Sequence, residues 1–463
     1  MPDSPVAWSV AELASAYRRR ALSPVEMLEA LLAAIERDHG RVNAFALLDP
    51  ERGLAAARES ERRFSTGRPL GPLDGIPVSV KDLTAAAGWP TRRGSRATEG
   101  EPPAAADAPG VALVRAAGAV LFGKTTTSEF GWAAISECPH TGRTANPVAP
   151  GRTAGGSSAG AAAQMAANWG PVALGSDAGG SIRIPASYCG LTGFKPSYGW
   201  VPQAPLSAFG DLSHLGPLAR SVDDCAVLTA AMAHPDPRDP ASLFPRMAAA
   251  AEAGKPRIGW MLRLGEQRAR VAPEVEAALR TTVEALARAD HEVTEVAWPG
   301  LDVADAIWVS WQARNFESFV DWPAERRAQL SPYLQKLAEE GEALTMTAAA
   351  RSRQTLRDAA GRIAAAFETI DLLLMPATPD GPFLMGDLAP RADPGFARIA
   401  ATGDWLAANP YGYPFNLTGQ PALVLPLGTT GEGLPFGLQI VGRRYDDARV
   451  LAFGQMLEAM RAR

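Results

Sequence analysis

Cysteine and histidine are both scarce in this 463-residue chain, which has three of the first and five of the second. Cys138, Cys189 and Cys225 cannot pair completely and form no Cys-x-x-Cys element, so neither a disulfide framework nor a zinc ribbon is indicated. A reducing cytoplasm is the compartment that fits. His39, His140, His214, His234 and His291 are scattered, with no His-x-x-x-His spacing and no accompanying acidic cluster. No catalytic metal and no other cofactor is expected. Long apolar runs are missing too. The stretches present are too short or too glycine-interrupted to cross a bilayer, and the amino terminus carries Asp3 without an apolar core of signal-peptide length. No membrane association and no targeting segment are therefore expected. The net charge of −5 offers no general attraction to nucleic acid or to an anionic surface and favours small or weakly charged substrates. No Pro/Ser-rich linker divides the chain and no repeat is visible, so residues 1–463 are read as one domain.

The first sixty residues are helical by pattern. Ser23, Pro24 and Glu26 make a capping-box start, and Val25, Leu28, Leu32 and Ile35 follow on one helix face. A second helix is expected over 54–65, giving a helical part, 1–65, packed on the main body. Gly67, Pro69, Gly71 and Pro72 break that pattern. Beyond them, Ile76-Pro77-Val78-Ser79-Val80 reads as a short buried strand. Ala119 to Phe122 and Val172 to Leu174 are strand-like, and Ala159 to Asn168 is helical. The alternation predicts an α/β fold, a large mixed and mostly parallel sheet covered by helices, with its sites at element ends. Helices over 274–288 and 348–369 bracket an aromatic-rich section, 290–365, in which Trp308, Trp311, Phe316, Phe319 and Trp322 are read as packing residues rather than a ligand cage.

Two serines stand in separate glycine-rich turns, Gly155-Gly156-Ser157-Ser158-Ala159-Gly160 and Asp177-Ala178-Gly179-Gly180-Ser181. Glycine lets such a turn tighten and point its N–H groups into a cavity, as a nucleophile beside an oxyanion hole requires. Lys81 ends the strand upstream, where part of its stem is desolvated and its charge is costly. A lone lysine at that place ordinarily snorkels to solvent or meets Asp82. Gly118-Ala119-Val120-Leu121-Phe122-Gly123-Lys124-Thr125 satisfies the phosphate-loop pattern in letters. Its four middle residues are themselves the apolar strand, however, so Lys124 is read as strand-end structure.

The order Lys81, Ser157, Ser181 resembles that of the amidase signature family. The likeness extends over nearly the whole chain, through Gly71-Pro72-Leu73-Asp74-Gly75 into the Lys81 strand, Gly123-Lys124-Thr125, Asn146-Pro147, Gly193-Phe194-Lys195-Pro196, Asn416-Leu417-Thr418-Gly419-Gln420-Pro421-Ala422 and Gly433 to Ile440. It implies that Ser181 is the nucleophile, that the backbone N–H groups of Ala178, Gly179 and Gly180 form the oxyanion hole, and that Ser157 is a bridging serine after a cis peptide bond. Lys81 is then the general base. Ser158, Asp177 and Arg183 fall at supporting positions, where a carboxylate and a guanidinium can lock the turns; an ordinary loop ion pair without catalytic effect fits the same residues. Gly131 and Trp132 fall in a segment that lines the acyl site in relatives, and Trp200, Pro202, Pro205, Leu206 and Phe209 could form a facing loop. Ala159 and Ala178 depart from the commonest pattern, which has glycine at the first and a larger threonine or isoleucine at the second.

The resemblance implies an amidohydrolase that cleaves a carboxamide or related C–N bond, in an aryl amide, carbamate or aliphatic amide, through an acyl-enzyme. Its partner is then a small-molecule amide or carbamate, with no nucleic acid, and a homodimer is compatible with it. Two alternatives stand beside this reading. One is the amidase subunit of a tRNA-dependent amidotransferase, although residues 300–360 do not resemble its glutamine-recognition region. The other is a non-catalytic scaffold.

Overall fold

Helices start where side chains can take up the first N–H groups. In α1 (Val10–Arg18) and α2 (Pro24–Val42), Ser9 with Glu12 and Ser23 with Glu26 form reciprocal capping boxes, and Asp49 caps α3 (Pro50–Ser65). The buried stripe of α2 is Met27, Leu28, Leu31, Ala34 and Ile35, so Leu28 and Ile35 face inward as expected while Val25 and Leu32 lie at its margin. The computed structural model describes residues 4–243, 255–264, 270–298, 303–385 and 409–461.

The first sixty residues are not wholly helical, because Phe45–Leu48 forms β1, paired antiparallel with β3 (Val120–Thr125). A four-residue strand between two helices leaves too little alternation to be seen in sequence. Among the described residues eleven strands build the main sheet: β1, β2 (Pro77–Lys81), β3, β6 (Val172–Asp177), β7 (Thr192–Lys195), β8 (His214–Ala219), β9 (Ile258–Trp260), β10 (Val293–Glu295), β11 (Leu372–Pro376), β12 (Ala422–Thr429) and β13 (Pro435–Gly442). A separate hairpin pairs β4 (Glu137–Cys138) with β5 (Gly142–Arg143).

Strand order is β1-β3-β2-β6-β8-β7-β12-β13-β11-β9-β10. The sheet is large, mixed and helix-covered. Parallel pairing occupies two blocks, β3-β2-β6 and β11-β9-β10. The run from β6 to β11 between them is antiparallel. Chain connectivity decides this in part: a short turn joins β12 to β13 and can return the chain only antiparallel, whereas a parallel neighbour needs a long crossover.

Among the described residues the remaining helices are α4 (Pro109–Ala116), α5 (Ala159–Ala166), α6 (Arg183–Tyr188), α7 (Val222–Met232), α8 (Pro273–Arg288), α9 (Ala304–Phe319), α10 (Ala324–Arg327), α11 (Pro332–Glu342), α12 (Met346–Ala366), α13 (Tyr413–Leu417) and α14 (Asp447–Arg461). None of the described helices is long and apolar enough to cross a membrane. Two apolar clusters meet the sheet, and β11 divides between them residue by residue. Leu372 and Leu374 enter the cluster that also holds α1 and α2, while Leu373 and Met375 enter the one holding Trp311 and Phe319.

At the end of β3, Lys124 is fully buried and binds Asp82 Oδ1 at 2.8 Å, Thr91 Oγ1 at 2.8 Å and Pro90 O at 2.9 Å. The amine that resembles a phosphate-loop lysine therefore ties the segment after β2 to β3, and Asp82 is the partner of Lys124 rather than of Lys81. Breaking a buried pair strands a charge, so Asp82→Ala is expected to destabilise the fold by about 3–5 kcal/mol, read as a shift in the urea unfolding curve.

Candidate active site

Lys81 is the last residue of β2, and its register beside β3 and β6 carries its side chain toward the ends of those strands. It is fully buried. Its Nζ lies 2.7 Å from Ser157 Oγ, 3.0 Å from Ser176 Oγ and 3.3 Å from Ser176 O. Burial penalises the ammonium form and pulls this amine down to about 7, with the negative charge of Asp177 acting in the opposite sense. Near neutrality the group is thus divided between amine and ammonium.

Ser157 and Ser181 are brought together by the two glycine-rich turns. The Gly156–Ser157 peptide is cis, and Ser157 and Ser181 are only 2% and 6% exposed, both on the wall of one cavity. Ser158 stitches the turns to each other: its N–H donates to Ser181 O at 3.2 Å. Its hydroxyl donates to Ser176 O at 3.1 Å and accepts from Ser176 N at 3.3 Å.

Beneath the Ser181 turn, Asp177 and Arg183 form a fully buried, two-pronged ion pair, with Nε to Oδ2 at 2.9 Å and Nη2 to Oδ1 at 2.8 Å. Arg183 and other positive neighbours hold the Asp177 carboxyl far below the usual carboxylate range against the pull of burial. The same carboxylate accepts the N–H of Gly180 at 2.8 Å and of Ile182 at 3.0 Å. This corrects one expectation. An Asp side chain readily takes an N–H a few residues on, so the Gly180 N–H is turned toward Asp177 and away from an oxyanion. Ala178, Gly179 and Ser181 are the residues of the turn whose N–H groups have no acceptor among the described residues.

Arg183 reaches further, donating to Gly412 O at 2.9 Å, Gln439 Oε1 at 2.8 Å and Asn416 Oδ1 at 2.6 Å. Asn416 in turn donates to Asp177 Oδ1 at 2.9 Å and to Asp177 O at 3.0 Å. Ser176, Asn416 and Gln439 were not singled out as site residues from sequence. The last two stand inside the family-like motifs, but their bonds to Arg183 span more than two hundred positions and leave no local signal.

The cavity holds about 620 Å³. Ser157, Ser176, Ala178 and Ser181 are among the residues that line it, and so is Gly131. Gly131 has φ +79°, and a Cβ there would sit 3.2 Å from Ser157 Oγ and 2.7 Å from Leu83 Cδ1. Only glycine both adopts that conformation freely and leaves this room. Trp132 is placed differently from the expectation. It is fully buried behind the wall, packed on Phe209 at 4.4 Å and Trp311 at 5.1 Å between ring centres, and is not part of the lining. The turn at Phe130 and Gly131, both at positive φ, sends the two neighbouring side chains to opposite sides. Pro205, Leu206 and Phe209 face the cavity as the proposed loop requires, while Trp200 and Pro202 do not. Phe319 and Trp322, read from sequence as packing residues, line the cavity together with Phe130. Among the described residues no group of three His, Cys, Asp or Glu could hold a metal ion.

A family model described as Amidase matches residues 26–451. An acylamidase of Rhodococcus erythropolis is 34% identical over 100% of this chain and 97% of its own length. A glutamyl-tRNA(Gln) amidotransferase subunit of Chloroflexus aurantiacus is 34% identical, over 95% of this chain and 93% of its own. Among solved structures, a bacterial aryl acylamidase of the amidase signature family superposes with a TM-score of 0.87 at 27% identity, covering 98% of this chain and 97% of that one.

The environment of Lys81 makes a direct prediction. In a protein with labelled lysine side chains, the Lys81 resonance should titrate with a midpoint near 7, well below the ordinary lysine value of about 10.4. A Lys81 midpoint above 9 in the NMR titration contradicts the desolvated site.

Proposed function

The chain belongs to the amidase signature family, and from that premise we propose that Lys81, Ser157 and Ser181 are the proton relay and nucleophile with which it works. It is a hydrolase of amide C–N bonds. The observation that carries the assignment of roles is the 2.7 Å contact between a fully buried lysine amine and Ser157 Oγ.

Neutral Lys81 takes the proton of Ser157 as Ser157 takes that of Ser181, and Ser181 Oγ attacks the amide carbonyl carbon. The N–H groups of Ala178, Gly179 and Ser181 receive the negative charge that develops on the carbonyl oxygen; one such donor is worth about 2.7–4 kcal/mol in a water-excluded site. The relay then runs backward and delivers a proton to the departing nitrogen. The C–N bond breaks, the amine leaves and the acyl group stays on Ser181 as an ester. Water, deprotonated through the same relay, attacks that ester and releases the carboxylic acid. Asp177 and Arg183 touch no reacting atom in this scheme and hold the nucleophile turn in place.

The substrate class that fits best is an amide with an apolar, aryl-bearing group. Phe130, Phe319 and Trp322 form a wall of mutually tilted rings, with centres 4.9–5.8 Å apart. Such a wall favours flat apolar groups, and the bacterial aryl acylamidase that superposes on this chain supports the same reading. Carbamates carry the same carbonyl and nitrogen and are included in the class.

A fluorophosphonate should add one phosphonyl group to Ser181 and abolish activity, with intact-mass analysis and peptide mapping as the readout. Mapping to another serine, with Ser181→Ala still active, overturns the assignment. In an assay panel, an anilide should be cleaved faster than glutamine, and preference for glutamine instead indicates an amidotransferase subunit. The pH dependence has a definite sign. The base is the amine form, which grows as pH rises, so amide hydrolysis should increase through about pH 7 and level off above it. Lys81→Ala should lower that plateau by roughly 10²–10⁴-fold.

A further inference from the structure

Glu129 is a carboxylate only 6% exposed, and among the described residues both hydrogen-bond partners of its side chain are uncharged. Its Oε1 accepts from Ser95 Oγ at 2.6 Å and its Oε2 from the backbone N–H of Ser331 at 3.0 Å. Burying a carboxylate in this way is costly. The two partners lie far apart in sequence. Ser95 belongs to the loop after β2, in which Arg93 O accepts the Phe130 N–H at 2.7 Å, and Ser331 is the residue that caps α11. Glu129 therefore joins that loop and the helical section to the segment whose next two residues, Phe130 and Gly131, are both at positive φ.

Those two residues face the chemistry on one side and the aromatic wall on the other. Gly131 lies against Ser157 Oγ, and the Phe130 ring packs edge-on against Phe319 at 5.0 Å and Trp322 at 5.8 Å. We propose that Glu129 is a positioning residue for the hydrolytic reaction, fixing the Phe130–Gly131 turn so that Ser157 is held in register between Lys81 and Ser181. The proposal rests on the assignment of Ser157 as the bridging serine. Its carboxylate touches no reacting atom and acts through the turn alone.

The test compares the parental chain with Glu129→Ala, Glu129→Gln and Ser95→Ala. Three readouts are used: the rate constant and final extent of Ser181 labelling by a fluorophosphonate, kcat and KM for 4-nitroacetanilide, and the thermal midpoint. Misplacing a reacting group by about 1 Å costs up to roughly 10²-fold, so Glu129→Ala should lower the labelling rate constant and kcat by about 10–100-fold, with KM within about twofold of the parent and labelling still running to one group per chain. Glu129→Gln, which keeps one acceptor, should fall between the two. Ser95→Ala should cost a few-fold alone and nothing further when added to Glu129→Ala. A merely structural role lowers the final extent of labelling or the thermal midpoint and leaves the rate constant of the folded fraction unchanged, and that result overturns the proposal. If Glu129→Ala does not fold, parental rate constants in both Glu129→Gln and Ser95→Ala overturn it equally. A parental chain that does not label at Ser181 removes the underlying site assignment and this proposal with it. A parent that labels, with Glu129 variants at parental rates, removes this proposal only.

Discussion

The buried pair Asp177–Arg183 is the constraint on which the rest of the active end depends. Both groups are removed from water, and such burial is repaid only when every remaining donor and acceptor finds a partner. Here the requirement recruits the whole neighbourhood. The carboxylate takes backbone N–H groups from the Ser181 turn and from the start of α6, and the guanidinium takes Gly412 O, Asn416 and Gln439 from the C-terminal part of the chain. Position and charge state are therefore secured together, since a displaced turn would leave one of these groups unsatisfied.

This arrangement also sets the electrostatics of Lys81. Asp177 is the anion that favours the ammonium form of Lys81, yet burial is the larger influence and the amine falls to about 7. Arg183 sits directly on that carboxylate, so the field Lys81 feels is that of an ion pair rather than of a bare charge. Neighbouring Lys195, also fully buried and held well below the ordinary lysine range by desolvation, donates to backbone carbonyls of Pro196 and Gln420 and reaches neither serine. Of the buried lysines, Lys81 is the one whose amine meets a serine in the cavity wall, and it is placed there by strand register rather than by any attraction to a carboxylate.

Much of the site was legible in the sequence because its chemistry lies in short local patterns: two glycine–serine turns and a lysine ending an apolar strand. The helix starts at Ser23 and Asp49 are legible for the same reason, since capping is decided within four residues. What escaped notice was non-local or reversed by a single backbone angle. The antiparallel middle of the sheet depends on which strands meet, which alternation of element types cannot report. Trp132 was drawn to the cavity by its neighbour Gly131 and is turned away by the positive φ values at 130 and 131. The Gly180 N–H goes to the Asp177 side chain rather than to an oxyanion hole, and Asp followed three places on by Gly is the local signal of that contact. Phe319 ends α9 and shares an apolar cluster with the packing residue Trp311, so its place on the cavity wall has no separate signal in sequence, and Trp322 follows just beyond the helix.

The reach of Arg183 to Gln439 has a consequence in time. The two residues are 256 positions apart, and a ribosome adding roughly 5–20 residues per second needs about 13 to 50 s to pass from one to the other. Throughout that interval the serine turn is already made while the strand that completes its anchorage has yet to be synthesised. A growing chain therefore carries its Ser181 turn in an unfinished socket until β13 has been made.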